Sequence, residues 1–223
     1  MVKNIRMRCK YSLARILGKV KNGFGLRITG DVDEPDRMDW HLLSEWLNLA
    51  ARVSLDTPIL YVTASPLRAF EKIVGNSKGV EIGVHGLRHV DYTLLSNSEI
   101  RSHFREIVSY SRKFRFPHLA RDLRTLKIAS EYFDSDSSFT ARWKPFVPFL
   151  SKSDFYEYPV IPPSDTFFRG KQIGSREAAS VIAESIEMCR RNSTYCTLLL
   201  HPNMFVNELL KSLLESGDNL RRG

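Results

Sequence analysis

From Gly25 onward, short apolar runs alternate with stretches whose apolar residues recur at helical spacing. The runs GLRITGDVD (25–33), TPILYVTAS (57–65), GVEIGVHG (79–86), FYEYPVIP (155–162) and TYCTLLLHP (194–202) predict strands. MDWHLLSEWLNLAARV (38–53), LRAFEKIV (67–74), ARDLRTLKIASEY (120–132) and residues 175–191 predict helices, and a last helix runs to about Glu215. Ser96 or Asn97 is placed to cap a further helix extending roughly to Lys113, before Pro117 in RFPH interrupts the pattern. FDSDSS (133–138) reads as a polar turn, and ARWKPFVPFLSKSD (141–154) as irregular chain. Alternation of this kind predicts the α/β class: a mainly parallel sheet with helices outside, as an open wound sheet or a barrel. No repeat or linker divides residues 23–223, so a single domain is expected there.

Composition changes this picture little. The chain has 223 residues, 43% of them hydrophobic, enough for a sizeable core. Its apolar runs are strand-sized, and none is long enough to span a bilayer. Cys9, Cys189 and Cys196 form neither a CxxC pair nor an even framework, which points to a reduced, cytoplasmic setting.

The net charge of +8 is concentrated at one end. Residues 1–22 carry seven basic side chains and no acid; removing those seven from the 33 Lys and Arg leaves 26 against 25 Asp and Glu. This basic segment lacks the apolar centre and cleavage site of a secretory leader. A short helix docked on the domain is the favoured reading, and peripheral contact with an anionic membrane is the sharper one. The near-neutral remainder argues against nucleic acid as a partner.

Three predicted strands end in groups that bind metals or move protons: Asp31 and Asp33, then His85 and His89, then His201. In parallel α/β architectures these strand ends share one rim. His85 and His89 at i, i+4 point both rings one way on a helical turn, and Asp33 completes the three protein ligands of a catalytic zinc-type site. Asp31 shares a strand face with Asp33 and is placed to accept a proton, while His201 is placed to donate one to a leaving group. The alternatives are an acidic turn with a helix cap for DVDEPD and a solvated strand end for His201.

ITGDVDEP, VEIGVHGLRH, FRFPH and TLLLHP, in that order, resemble the motifs of the polysaccharide deacetylase family, the NodB-homology carbohydrate esterases. Asp31 and Asp33 match an Asp-x-Asp first motif, His85 to His89 the His-x-x-x-His motif, Arg115-Phe116-Pro117 the Arg-x-Pro motif, and Leu199 to Pro202 the last. The family's glycine after the acid pair is replaced by Glu34 and Pro35, and His118 stands where an aromatic is commoner.

The resemblance implies a distorted (β/α) barrel of about seven strands. It implies a divalent metal, zinc first with nickel, cobalt or iron as alternatives, held by Asp33, His85 and His89. It also implies Asp31 as base, Arg115 as the partner that fixes Asp31, and His201 as acid. Asp136 is expected to pair with His201, Asp134 standing second, and Phe139 takes the family's tryptophan position. Trp143 is a candidate to face a sugar ring. The implied activity is metal-dependent removal of an acetyl or other acyl group from an N-acetylated sugar, glycan or glycolipid, with an activated water as nucleophile. Two further readings are a catalytically silent glycan-binding member and an amidohydrolase acting on a small non-sugar amide.

Overall fold

The computed structural model describes residues 23–141, 145–148 and 154–216. The basic segment 1–22 and Trp143 lie outside the described residues. Seven strands form one parallel sheet: β1 (Gly25–Val32), β2 (Ile59–Val62), β3 (Glu81–Val84), β4 (Lys113–Phe114), β5 (Ser135–Asp136), β6 (Tyr156–Glu157) and β7 (Tyr195–Leu199). Their spatial order is β6-β5-β4-β3-β2-β1-β7. The sheet curls until its two edges meet. Val160, just past β6, bridges Thr140 on one side and Thr197 of β7 on the other, and the Ile161 N–H donates to the Thr197 carbonyl at 2.8 Å. That bridge decides between the two predicted architectures in favour of the distorted barrel.

Among the described residues six α-helices connect the strands, α1 (Trp40–Val53), α2 (Leu67–Asn76), α3 (Asn97–Ile107), α4 (Leu123–Ala129), α5 (Asp165–Gly170) and α6 (Ser175–Arg191), and α7 (Met204–Glu215) follows β7. Among the described residues no helix is long and apolar enough to cross a membrane. Local chemistry sets several starts. Asp39 caps α1 by accepting from the N–H groups of His41 and Leu42, and Ser96 with Glu99 forms a capping box on α3.

The elements are shorter than the pattern predicts where tertiary contacts intervene. The helix expected to reach Lys113 stops at Ile107, because Lys113 is needed to start β4 beside β3. The strand expected over 155–162 is reduced to Tyr156–Glu157 and the Val160 bridge, since Pro159 and Pro162 have no N–H to donate to a ladder. Helix α5 lies in a stretch where no helix is expected.

Strand periodicity divides β1 in two. Leu26, Ile28 and Val32 join the apolar layer under the helices, whereas Thr29 and Asp31 turn into the barrel toward Arg115. Trp46 of α1 is fully buried against Gly30, where any Cβ would sit 2.7 Å from its ring, and its indole N–H donates to the Leu200 carbonyl at 2.9 Å. This one side chain ties α1 to β1 and to the end of β7. Inside the barrel, Gly83 leaves room for the Tyr61 ring, 2.4 Å from where a Cβ would lie, and the Arg115 guanidinium stacks over that ring at 4.2 Å.

Candidate active site

The site forms on the rim at the C-terminal ends of β1, β3, β4 and β7. Its base is a buried ion pair. Arg115, fully buried, donates to Asp31 Oδ1 at 2.7 Å, to Thr29 Oγ1 at 2.9 Å, and to the carbonyl and Oγ of Ser137 at 2.7 and 2.9 Å. These contacts satisfy the guanidinium fork and fix one carboxylate oxygen. Asp31 Oδ2 faces His85 Nε2 and His201 Nε2 at 3.7 and 3.9 Å, too far for a hydrogen bond to either. Burial opposes the charge on Asp31, but Arg115, His85 and His201 outweigh it and hold the carboxyl below the ordinary carboxylate range.

Beside it stand the three expected ligands. Asp33 Oδ1 lies 3.4 Å from His85 Nε2 and 3.3 Å from His89 Nε2. The Asp33 side chain is 42% exposed, yet Oδ1 itself is buried and has no hydrogen-bond partner. Such an oxygen is costly unless a cation or proton meets it. Burial raises the Asp33 carboxyl, and the imidazoles of His85, His89 and His201 around it bring it down to about 2.

The His85 tautomer follows from its other nitrogen. Nδ1 lies 3.0 Å from the Arg115 carbonyl, which can only accept, so Nδ1 carries the proton and Nε2 presents a lone pair toward Asp33 and His89. Two ligands held tetrahedrally at about 2.0–2.1 Å from one ion lie about 3.3 Å apart. The observed separations fit, and the Nε2 and Oδ1 atoms are the donor types a divalent metal takes.

Local structure explains how two histidines four residues apart converge. Gly86 between them adopts φ +84°, where a Cβ would also approach the Arg88 carbonyl to 2.9 Å. The Leu87 N–H donates to the Tyr92 hydroxyl at 3.0 Å, and the buried Tyr92 ring stacks on Phe104 at 5.4 Å. The loop therefore hangs from an aromatic cluster rather than from a helix. His118, exposed and at φ 57°, sets its ring edge-on to His89 with centroids 4.2 Å apart.

His201 completes the rim, but its partner differs from expectation. Its Nδ1 lies 2.7 Å from Asp165 Oδ1, which also accepts the His201 N–H at 3.2 Å. Asn203 steadies the other Asp165 oxygen at 3.4 Å. Asp136 is not the partner: it sits between β4 and β6, where its Oδ1 accepts from the Ser138 hydroxyl at 2.6 Å. Asp134 is exposed and paired with Arg112. Asp165 is the first residue of α5 and fully buried, and in the sequence an aspartate there is indistinguishable from a helix-end residue. Burial pulls the His201 imidazole down, but the Asp165 hydrogen bond and charge, with Asp31 and Asp33 behind, bring it up to about 9.

The same barrel is found in solved structures. A protein from Mycobacterium smegmatis assigned as a polysaccharide deacetylase superposes with a TM-score of 0.66 at 16% identity, over 89% of this chain and 88% of that one. The chain has the polysaccharide deacetylase fold. Puue allantoinase shares it, with a TM-score of 0.66 at 12% identity over 88% of this chain and 85% of that one. So does a mutant of a family 4 carbohydrate esterase pseudoenzyme, at 0.52 and 20% identity, over 90% of this chain and 64% of that one. No protein-family model and no curated protein matches the chain.

Proposed function

We propose that this polysaccharide deacetylase-fold protein is a metal-dependent hydrolase that removes an acyl group from the nitrogen of an N-acetylated sugar or glycan. The observation that carries the reading is Asp33 Oδ1, buried, unpartnered and facing two imidazole nitrogens, with a base and an acid on the same rim. Asp33, His85 and His89 would hold a divalent ion, zinc first, with nickel, cobalt or iron able to use the same donors. When bound, such an ion supplies Lewis acidity that lowers the pKa of water from 15.7 to about 7 and polarises an acyl oxygen.

The chain's own residues do the rest. Asp31 Oδ2, free of hydrogen bonds to its histidine neighbours while Oδ1 is held by Arg115, accepts a proton from the attacking water. His201, kept protonated at neutral pH by Asp165, donates from Nε2 to the departing nitrogen, which an amide needs because its amine is a poor leaving group. Asp165 takes the Nδ1 proton as its hydrogen bond, so the Nε2 proton is the one available for transfer.

A glycan substrate is supported by the motif pattern and by a fold neighbour assigned as a polysaccharide deacetylase. The allantoinase neighbour supports a second substrate class, a small non-sugar amide. One experiment tests the core of the reading: metal content and acetate release from N-acetylglucosamine oligomers, for wild type and His85→Ala side by side. About one ion per wild-type chain is expected, lost together with activity in the variant. A wild-type protein that takes up no zinc, nickel, cobalt or iron would sink the hydrolase and leave a silent glycan binder.

A further inference from the structure

Released from His201, Asp136 has a different neighbour. We propose that Asp136 and Glu157 share a single proton, and that this pair acts as positioning residues for Arg115 and, through it, for Asp31. The two are register partners on β5 and β6, so their side chains leave the sheet on the same face, and both are buried to 1% exposure or less.

Two ionised carboxylates cannot occupy that place, because like charges in a buried site raise the cost of the second ionisation. The hydrogen bonds locate the proton. Glu157 Oε1 accepts the N–H groups of Ser138 and Phe139 at 3.1 and 2.9 Å, and Asp136 Oδ1 accepts the Ser138 hydroxyl. Asp136 Oδ2 is buried and receives no donor from any described residue. A proton on Glu157, donated to Asp136, supplies the missing hydrogen bond. Burial, then the charge and hydrogen bond of Asp136, push the Glu157 carboxyl well above its ordinary range. Of the described residues, Arg121 is the cation that opposes this shift; it stacks over the Phe139 ring at 5.0 Å. On the barrel side, Asp136 also acts on Tyr61, the ring beneath Arg115.

The pair grips the segment that holds Arg115. Ser138, bound by both carboxyls, accepts the Phe116 N–H on its Oγ at 2.9 Å, one residue beyond Arg115. Ser137, between Asp136 and Ser138, takes two of the Arg115 hydrogen bonds. Displacing residues 137–139 would therefore misplace Arg115 and release Asp31 Oδ1.

The effect on catalysis rests on the hydrolase reading; the shared proton and the placement of Arg115 do not, and the test separates them. In full-length protein near neutral pH, the infrared spectrum should contain the carbonyl band of a buried protonated carboxylic acid, absent in both Glu157→Gln and Asp136→Asn. Glutamine keeps neutrality, two acceptor contacts and a donor to Asp136. Glu157→Gln should therefore keep the Arg115 Nε–H resonance in nitrogen-correlated NMR and rescue the turnover that Glu157→Ala loses by about 10- to 100-fold. Because the Glu157 pKa rises on folding from 4.5, wild type should lose stability relative to Glu157→Gln as pH climbs above that value. Absence of the carbonyl band in wild type, or its survival in Asp136→Asn, would overturn the shared proton. An Arg115 resonance unchanged in Glu157→Ala would overturn the positioning role, whether or not any variant turns over substrate.

Discussion

Strands β7, β1, β2 and β3 run four to eight residues and pair through a continuous parallel ladder, whereas β4, β5 and β6 contribute two residues each. In the first half, backbone hydrogen bonds bring Asp31, Asp33, His85 and His201 to the rim, and side chains only refine their direction. The second half has little ladder to rely on. There side-chain hydrogen bonds do the holding: Arg115 to Ser137, Ser138 to Phe116, Glu157 to the Ser138 and Phe139 amides. A polar side chain should therefore matter more to stability in the β4–β6 half than in the β1–β3 half.

The largest expected effect is at the centre of the weaker half. Arg115→Leu leaves the Asp31 charge buried without its partner and should cost about 3–5 kcal/mol in urea unfolding. A loss under about 1 kcal/mol would mean that the ladder, not the guanidinium, holds this region. Ser137→Ala removes an acceptor of a charged donor and a donor to the Tyr158 carbonyl. Its expected cost is about 1.5–3 kcal/mol. The matching change in the ladder half is Thr63→Val, whose hydroxyl makes only a 3.4 Å contact with the His85 carbonyl; less than about 1 kcal/mol should be lost. Equal costs for Ser137→Ala and Thr63→Val would erase the contrast between the halves.

A further effect is one of pH. The His201 pKa rises on folding from 6.5 to about 9, so its pairing with Asp165 stabilises the metal-free protein fully below 6.5. That contribution is lost as pH rises through about 9. The difference in melting temperature between wild type and Asp165→Asn should be widest near pH 6 and narrow toward about pH 10. A constant difference over that range would reduce Asp165 to a shape-filling role.

The candidate ligands were legible because each sits in a short local motif at a strand end. His85 and His89 are four residues apart with a left-handed glycine between them, and Asp31 and Asp33 share a strand end. The apolar pattern likewise marked β1, β2, β3 and β7, where at least half of each strand is buried. It misjudged β6, whose prolines restrict the ladder to two residues, and it had no signal for α5. The partner of His201 was misread because FDSDSS offered aspartates for the motif that the resemblance implies, and sequence order says nothing about which carboxylate a barrel brings to the rim.

By itself the sequence determined the α/β alternation, the strand-end placement of the acids and histidines, and the donor types of the candidate trio, since each is carried by a short local motif. The tertiary structure alone decided that Val160 closes the sheet into a barrel, that Asp165 reaches His201 across 36 residues, and that Asp136 meets Glu157 instead. Those contacts depend on how far the sheet curls, and curl is a property of packed layers that no local pattern encodes.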